Sequence, residues 1–545
     1  MHKLLRRGKT LTTLSEETED WQKQSRDSSL TREEARNQLA ISYGFFSWRQ
    51  MEVHVLLQNQ EFDDFLYLSC LTYCPTDRPG LRERAREMLL EDPSLAERDI
   101  HHAAAVGNTS VVVKLLDSDP KLVSQRGGFF DWEPLLYTCY SRLNLAENST
   151  FDVAKVLLER GADANSHYMW GGQYRFTALT GAFGEGEMGP SNQPEHQRCI
   201  DLAKLLLEAG ADPNDGQTLY NRMFEPGQYW IELLLEHGLN SKHTVNWLDE
   251  DGEQLVPSKE CILDYQLRWA IEKGHIERAR LLIGAGANVA ATNRFGDSYF
   301  TIAFKRGDLE FAEELATLGS HRQKLPEVEQ FIAVCMSGNV HEARALLEGN
   351  PNLVEQAENE FADTVGRAAG EGNLTGLKVF HALGFNLNKM QGQTPLHQAV
   401  LGGHLDNVKW LVEIGCDLGI RDDVHGSTPL QWAFALGRDE CRDFLSQFEL
   451  DLFDSILCDR TVRIKEIVES ESSALERTLK EMRATQYSFE DDWMTPLVFA
   501  MTRERVEATK CLLKLGANRE ITAPSGETLA DLVRNKAPKE IADLW

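Results

Sequence analysis

The chain has 545 residues and an acidic composition, with 57 lysine and arginine residues against 85 aspartate and glutamate residues and a net charge of −28. Phosphate backbones and anionic bilayer surfaces repel such a chain, so we expect neither a nucleic-acid nor a membrane partner. No apolar run approaches the roughly 20 residues that cross a bilayer. The ten cysteines are scattered, as is typical of a reducing cytosol, and we expect a cytoplasmic protein.

Residues 1–60 differ from the rest of the chain and are predicted to form a helical capping module. Thr31 and Glu34 have the spacing of a capping box, which starts a helix. A second box at Ser47 and Gln50 predicts another helix directly afterwards. Such a module would cover the open apolar end of the units that follow, because stacked helical units need a polar cap at each end.

Residues 61–261 are predicted to form helix pairs that are interrupted by irregular insertions. Two insertions fall between the helices of a pair, at residues 143–150 and 185–196. Both are polar and rich in Gly, Pro and Asn, so we expect solvated loops. All the irregularity of the chain clusters between residues 141 and 261, and we therefore expect the principal contact surface there.

The connection after Asn165 is longer than its counterparts and is rich in aromatic residues. Aromatic rings, methionine and arginine on a turn with glycines are typical of residues that dominate the binding energy of protein interfaces. The predicted contact residues are Tyr168, Met169, Trp170, Tyr174 and Arg175. The alternative is that the turn folds down and Trp170 packs on its neighbours.

A second long connection, residues 241–260, carries Trp247 beside Asp249 and Asp251. These three residues join the predicted partner contacts. The two aspartates lack further ligands at alternate positions and a closing glutamate, which a calcium loop requires. A plain turn is therefore the favoured interpretation, and we expect no metal.

Residues 262–450 repeat regularly, with a period of about 33 residues. Six glycines follow one another at intervals of 33, 31, 34, 31 and 34 residues, and each ends one helical pattern and opens another. They are Gly274, Gly307, Gly338, Gly372, Gly403 and Gly437. The period indicates stacked helix pairs, each of which buries its apolar face against its neighbours.

The clearest unit begins at Thr394 and Pro395, which are predicted to cap and start its first helix. Leu396 and Ala399 recur at helical spacing, and the small alanine allows the paired helix to approach closely. Gly403 ends this helix because glycine adopts a positive φ at low cost. A second helix follows, and the chain then turns out as a short hairpin, which we call a finger.

Residues 451–545 are predicted to contain degenerate and terminal units and a C-terminal cap. Thr495 and Pro496 start a late unit in the same way as Thr394 and Pro395. A final half-unit begins at Gly526 and ends the chain.

The run Thr394-Pro395-Leu396-His397, with its alanine and glycine at fixed offsets, resembles the ankyrin repeat. The resemblance covers roughly residues 60–545, and the N-terminal module is similar to one that precedes ankyrin arrays in bacterial proteins. It implies an all-α solenoid of tandem ankyrin repeats with short hairpin fingers, in an elongated and curved superhelix.

The resemblance implies a protein–protein interaction function. The chain would act as a scaffold, adaptor or inhibitor that binds a partner protein through the concave face and the fingers, although a fold alone does not prove a function. The acidic charge favours a partner with a basic surface, because electrostatic attraction speeds its capture. We expect the chain itself to be monomeric.

No catalytic, cofactor-binding or metal-binding constellation emerges from the sequence, and we predict that the chain is not an enzyme. His101 and His397 occupy the repeat's usual histidine position, where the resemblance implies a hydrogen bond to neighbouring backbone. Cys70 and Cys74 are one helical turn apart but lack a second ligand pair, so core packing is favoured. The alternative is an enzyme or ligand-binding protein whose site is built from the insertions at residues 141–261.

Overall fold

The computed structural model describes residues 14–15, 17–19, 31–42, 48–58, 63–74, 76–171, 174–224, 227–240, 242, 261–389, 391–483, 488–489, 491–524, 526–536 and 539–544. The chain divides into two compact units, a first of residues 1–299 and 318–320 and a second of residues 300–317 and 321–545. The described residues are mostly helical. None of their helices has the length and apolar character needed to span a bilayer.

Helices follow one another along the chain in pairs joined by short connections. Up to residue 284 they are α1 (Arg32–Ser42), α2 (Trp48–Gln58), α3 (Phe65–Ser69), α4 (Pro79–Glu91), α5 (Ile100–Val106), α6 (Thr109–Ser118), α7 (Pro134–Tyr140), α8 (Thr150–Glu159), α9 (Ala178–Phe183), α10 (Gly189–Asn192), α11 (Cys199–Glu208), α12 (Gly216–Arg222), α13 (Tyr229–Glu236), α14 (Ile262–Lys273) and α15 (Ile276–Gly284). Two strands, β1 (His167–Trp170) and β2 (Tyr174–Thr177), form a two-stranded sheet before α9.

The same pattern continues to the end of the chain. The later helices are α16 (Tyr299–Arg306), α17 (Leu309–Thr317), α18 (Glu327–Met336), α19 (Val340–Gly349), α20 (Leu353–Glu360), α21 (Thr364–Gly370), α22 (Leu374–Ala382), α23 (Pro395–Gly402), α24 (Leu405–Glu413), α25 (Pro429–Ala435), α26 (Asp439–Leu445), α27 (Leu452–Leu457), α28 (Thr461–Ser470), α29 (Leu479–Arg483), α30 (Pro496–Thr502), α31 (Val506–Lys514), α32 (Leu529–Lys536) and α33 (Lys539–Ala542). The predicted all-α class with helix pairs is confirmed.

The N-terminal helices α1 and α2 begin as the sequence predicts where they are described. The Thr31 backbone N–H donates to Glu34 Oε2 at 2.8 Å, and the Glu34 N–H donates to Thr31 Oγ1 at 3.2 Å, which together make the predicted capping box. Ala40, Met51 and Val55 are buried together with Leu14 in a small core of their own. Ser47, of the second predicted box, lies outside the described residues.

The unit of α23 and α24 shows why the repeat sequence folds as it does. Thr394 Oγ1 accepts the N–H of His397, and His397 Nδ1 lies 3.3 Å from the backbone N of Thr394, so the two residues cap the start of α23 reciprocally. Leu396 and Ala399 are buried on its inner side. Gly403 then ends the helix at a φ of 75°.

The histidine position of the repeat joins successive units. His101 Nε2 donates to the carbonyl oxygen of Gln125 at 2.8 Å, and His397 Nε2 donates to that of Ser427 at 3.0 Å. Each acceptor lies in the connection just before the next unit. The predicted hydrogen bond of these histidines to neighbouring backbone is confirmed.

The periodic glycines also hold neighbouring units close together. All six have positive φ, between 63° at Gly437 and 88° at Gly307. A Cβ atom at Gly307 would lie 2.5 Å from the backbone nitrogen of Ser337, which no side chain tolerates. Glycine is therefore required there both for its backbone conformation and for the approach of the next unit.

Several connections differ from the predicted fingers because they are helical. Short 3₁₀ turns follow α4, α6 and α28, at Pro93–Glu97, Pro120–Ser124 and Ser472–Glu476, and the full helix α20 follows α19. The first turn starts because Asp92 accepts the N–H of Ser94 and Pro93 occupies the first helical position. Asp119 and Pro120 repeat this arrangement.

Candidate protein-binding surfaces

The finger at residues 167–177 is a true β-hairpin with two chemically different faces. Its register pairs Tyr168 with Phe176, Met169 with Arg175, and Trp170 with Tyr174. Because side chains alternate along a strand, the aromatic pairs share one face and the Met169–Arg175 pair lies on the other.

The aromatic face of this hairpin packs inwards on the first unit. The Tyr168 ring lies 4.5 Å from the ring of Trp132 and 5.5 Å from that of Tyr140, measured between centroids. Burial raises the pKa of Tyr168 well above its usual value of 10.0, so its hydroxyl stays neutral. Trp170 Nε1 donates to the carbonyl oxygen of Thr72 at 3.0 Å. Trp170 therefore packs on its neighbours, as in the alternative interpretation of the sequence.

The other face leaves Met169 and Arg175 partly exposed. Arg175 Nη2 lies 3.4 Å from the carbonyl oxygen of Asn165, to which it donates at the base of the hairpin. Tyr174 is half-buried beside Trp170, with ring centroids 6.0 Å apart. Trp170 and Tyr174 therefore support the hairpin, whereas a partner could reach Met169 and Arg175.

The remaining predicted contacts, Trp247, Asp249 and Asp251, lie outside the described residues.

The segment of residues 70–77, of which 70–74, 76 and 77 are described, lies against this hairpin and against α7 and α9. The Leu71 N–H donates to the carbonyl oxygen of Tyr140 at 2.9 Å. The Tyr73 hydroxyl donates to the carbonyl oxygen of Thr180 at 3.4 Å, and its ring lies 4.9 Å from that of Phe176. The chain's own residues therefore occupy this part of the first unit's surface.

A buried ion pair holds the segment of residues 70–77 in place. The Asp77 carboxylate accepts the backbone N–H groups of Thr72 and Tyr73, at 3.2 and 2.7 Å from Oδ2. Arg82 Nη2 lies 2.8 Å from Asp77 Oδ1, and both side chains are almost fully buried. The negative charge is thus neutralised and hydrogen-bonded, which a buried carboxylate requires.

The insertion at residues 185–196 folds against the first unit, and the prediction of a solvated loop was wrong for its central contacts. Arg142 is buried and its Nε donates to the carbonyl oxygen of Pro194 at 2.7 Å. The buried guanidinium of Arg222 forms an ion pair with Glu185, with 3.3 Å between Arg222 Nη1 and Glu185 Oε1. His196 is 3 % exposed, and burial lowers its pKa from 6.5 to about 3. The sequence signal that was missed is a pair of arginines, Arg142 just after the end of α7 and Arg222 at the end of α12.

The second unit has a groove that the sequence did not predict. It is a cavity of about 240 Å³ between residues 358 and 398, lined by the end of α20, by α21, by the following finger and by the start of α23. Phe361, Val365, Phe385 and Pro395 form its apolar part. The volume lies below the roughly 300–1,000 Å³ of pockets that hold drug-sized ligands, so it suits a side chain better than a cofactor.

Hydrogen bonds and an ion pair order the polar part of the groove. Gln398 Nε2 donates to Gln393 Oε1 at 2.6 Å. Lys389 Nζ donates to the carbonyl oxygen of Glu358 at 2.6 Å and lies 3.7 Å from its carboxylate. The sequence feature that could have indicated the groove is Gly366. The corresponding position in the first helix of the clearest repeat carries the larger His397.

The titratable side chains of the described residues bear on the metal and cysteine interpretations. The described residues contain no group of three or more His, Cys, Asp or Glu side chains that could hold a metal ion. Cys70 is buried, and burial raises the pKa of its thiol to about 12. Its packing in the core agrees with the interpretation favoured from the sequence.

Comparisons with known proteins support the repeat assignment. A family model described as "Ankyrin repeats (many copies)" matches residues 267–315, and "Ankyrin repeats (3 copies)" matches residues 365–454. The chain is 28% identical to the E3 ubiquitin-protein ligase XBAT32 of Arabidopsis thaliana over 212 residues, 38% of this chain and 40% of that protein. It is 26% identical to the probable E3 ubiquitin-protein ligase XBOS32 of Oryza sativa subsp. japonica over 211 residues, 38% of this chain and 41% of that protein.

The chain thus spans about two fifths of the length of these curated relatives. Its helix pairs, the hydrogen bonds of its repeat histidines and its positive-φ glycines agree with the two family matches. The chain therefore contains ankyrin repeats, which the family models match at residues 267–315 and 365–454.

Proposed function

We propose that the chain binds a partner protein, as a scaffold, adaptor or inhibitor without chemistry of its own. The observation that carries this proposal is the groove of the second unit, where successive ankyrin units bring their side chains together on one accessible surface. Ankyrin repeats bind partner proteins in many other chains, and this likeness of fold supports the proposal by analogy.

The charge of the chain supports a partner with a basic surface, and its scattered cysteines suit a cytoplasmic protein. A net charge of −28 attracts cationic proteins and repels nucleic acids and anionic membranes. The rate of association should therefore fall as the salt concentration rises, because ions screen the attraction.

Affinity capture tests this proposal directly. The full chain is immobilised as a monomer, incubated with native lysate at low salt, and eluted with increasing salt before mass spectrometry. We expect a stoichiometric protein partner that elutes with salt. Recovery of no protein above the level of an unrelated acidic column would refute the proposal.

The hairpin at residues 167–177 remains our proposed contact within the first unit, together with Trp247, Asp249 and Asp251. Tyr168, Trp170 and Tyr174 would fix its shape, while Met169 and Arg175 would touch the partner.

We expect the double variant Met169→Ala, Arg175→Ala to lose capture of the partner while the melting temperature stays nearly unchanged, because these side chains are partly exposed. Met188→Ala with Arg98→Ala is a matched control from the same unit, with both residues exposed. Equal capture by both double variants would exclude the hairpin as a contact.

Ubiquitin ligase activity is a second candidate function, because both curated relatives carry that name. It stays second because the described insertions of the first unit use their polar groups internally, as Arg142 and Arg222 show. Incubation of the purified chain with ubiquitin, its activating and conjugating enzymes and ATP tests it. Ubiquitin conjugates that depend on the chain would establish an enzyme; their absence would leave partner binding as the function.

A further inference from the structure

The sequence that leads into the groove of the second unit and forms its first part is acidic. Residues 327–371 contain nine acidic residues and only two basic ones, Arg344 and Arg367. This stretch of 45 residues therefore holds a quarter of the net charge of −28 in a chain of 545 residues. Such a local excess creates an attractive field for a cationic ligand.

Part of this charge is not used within the molecule. Glu329, Glu358 and Glu371 form ion pairs with basic residues of the second unit. Glu355, Glu360 and Asp363 are exposed and make no ion pair with any residue that the structure describes. Glu355 lies three residues before Glu358 on α20, so the two share the helix face beside the groove.

The interior of the groove offers no free carboxylate, in contrast to its rim. Among the charged lining residues, Glu358 is paired with Lys389, and Asp363 is exposed and belongs to the rim. The remaining lining is apolar or carries amide side chains such as Gln398. A basic side chain would lose its hydration there without gaining an opposite charge, so the interior favours an uncharged side chain of a basic segment.

We propose that the groove of residues 358–398 binds an extended basic segment of a partner protein. One uncharged side chain of the segment enters the cavity between Phe361, Val365 and Phe385. Lysine or arginine residues on either side of it pair with Glu355, Glu360 and Asp363. This inference rests on the proposed function and specifies its partner.

A peptide array provides the test with the full chain. Ten-residue peptides vary independently in the number of flanking lysine and arginine residues and in the central residue, which is apolar, amide-bearing or charged. We expect binding only where basic flanks surround an uncharged centre. Binding that depends on positive charge alone, whatever the central residue, would overturn the role of the cavity.

Two sets of variants separate the rim from the cavity. Glu355→Gln with Glu360→Gln and Asp363→Asn should weaken the best peptide about tenfold, because exposed pairs each contribute modestly. The control removes three exposed charges elsewhere in the second unit, by Glu413→Gln, Glu469→Gln and Glu520→Gln, and should leave binding unchanged. Equal weakening by both triple variants would overturn the assignment to this rim.

Gly366→Leu tests the cavity. A Cβ atom at Gly366 meets only Gln398 Cγ, at 3.5 Å, and leucine suits a helix, so the variant should stay folded while its side chain fills the cavity. We expect loss of the best peptide with no fall in the melting temperature. Undiminished binding by this folded variant would overturn the proposal.

Failure of this inference is distinct from failure of the proposed function. If no peptide binds but the full chain still captures a partner that elutes with salt, the groove assignment is wrong and partner binding stands. If neither occurs, both are wrong.

Discussion

Buried charges at single positions set the shape of the first unit. Asp77 is the clearest case, because its carboxylate joins two backbone N–H groups and the guanidinium of Arg82 in an almost fully buried site. Removing one partner of such a pair leaves the other charge buried without compensation.

We therefore expect Asp77→Ala to lower the free energy of unfolding of the first unit by about 3–5 kcal/mol. The control is Asp63→Ala, which removes an exposed pair with Arg84 and should cost less than about 1 kcal/mol. Urea denaturation followed by circular dichroism measures both. Equal losses would show that burial does not decide the strength of these pairs.

A second buried carboxylate makes the stability of the second unit depend on pH. Burial, together with the neighbouring Asp451, raises the pKa of Asp454 from 3.8 to about 7, although Arg421, Gln431 and Thr428 favour its charged form. The folded state therefore binds a proton that the unfolded state releases. The stability contributed by this group is complete below its unfolded pKa and is lost as the pH rises through the folded value.

We expect Asp454 to make the urea midpoint of the second unit fall as the pH rises from about 4 to about 7, the interval between its unfolded and folded pKa values. Asp454→Asn should flatten this decline, because an amide carries no titratable proton and can still accept from Thr428 and Gln431. The pH dependence of the midpoint is the measurement. A decline of the same slope in the variant would exclude Asp454 as its cause.

Among the elements, the hairpin shows how a partner surface and a packing surface can share one segment. The inward face holds Trp170 by a hydrogen bond to Thr72 and by ring contacts, whereas Met169 lies on the opposite face. Loss of the half-buried indole should therefore act on stability as well as on the shape of the hairpin.

We expect Trp170→Ala to lower the free energy of unfolding by about 2 kcal/mol, less than the 3–5 kcal/mol of a fully buried tryptophan. Met169→Ala is the matched change on the other strand face and should alter it by about 0.5 kcal/mol or less. Thermal unfolding of the two variants compares them. A Trp170 variant as stable as the Met169 variant would contradict the inward packing.

Glycines in helix-ending and mid-helix positions should respond in opposite ways to the same substitution. Gly307→Ala introduces a Cβ at 2.5 Å from Ser337 N and at a φ of 88°, so it should destabilise the second unit strongly. Gly366→Ala meets only Gln398 Cγ and should stabilise α21 by about 0.5–1 kcal/mol. Differential scanning calorimetry measures both shifts, and shifts of the same sign would contradict this assignment.

The repeat elements were predictable because their signals are local. The capping pair of Thr394 and His397, the positive φ of Gly403 and the capping box at Thr31 and Glu34 each depend on residues a few positions apart. The helical connections were predictable in principle, since Asp92 and Pro93 form a helix start.

The surfaces were predictable only in part, because their decisive contacts join distant residues. Tyr73 donates a hydrogen bond to Thr180, and Arg142 donates one to Pro194, and no periodic pattern in the sequence predicts either contact. The composition of residues 168–175 indicated a contact surface, but only the strand register shows which side chains turn inwards. The groove depends on α20, a helix where a finger was expected.

At the scale of the whole molecule, stability should be uneven along the chain. Each repeat of an ankyrin array contacts mainly its neighbouring repeats. The chain also divides into two compact units, each with its own buried residues. We expect native-state hydrogen exchange to differ between residues 63–240 and 321–389. Asp77→Ala should raise exchange mainly in the former, and Gly307→Ala mainly in the latter.

The segment of residues 70–77 has a practical consequence for shortened forms of this chain. In the intact protein it shields the rings of Tyr140 and Phe176, both of which are at most 3 % exposed. A fragment that starts after residue 78 would present this aromatic surface to water, and exposed apolar patches promote self-association. Light scattering should therefore find aggregates of that fragment at concentrations where the full chain stays dispersed.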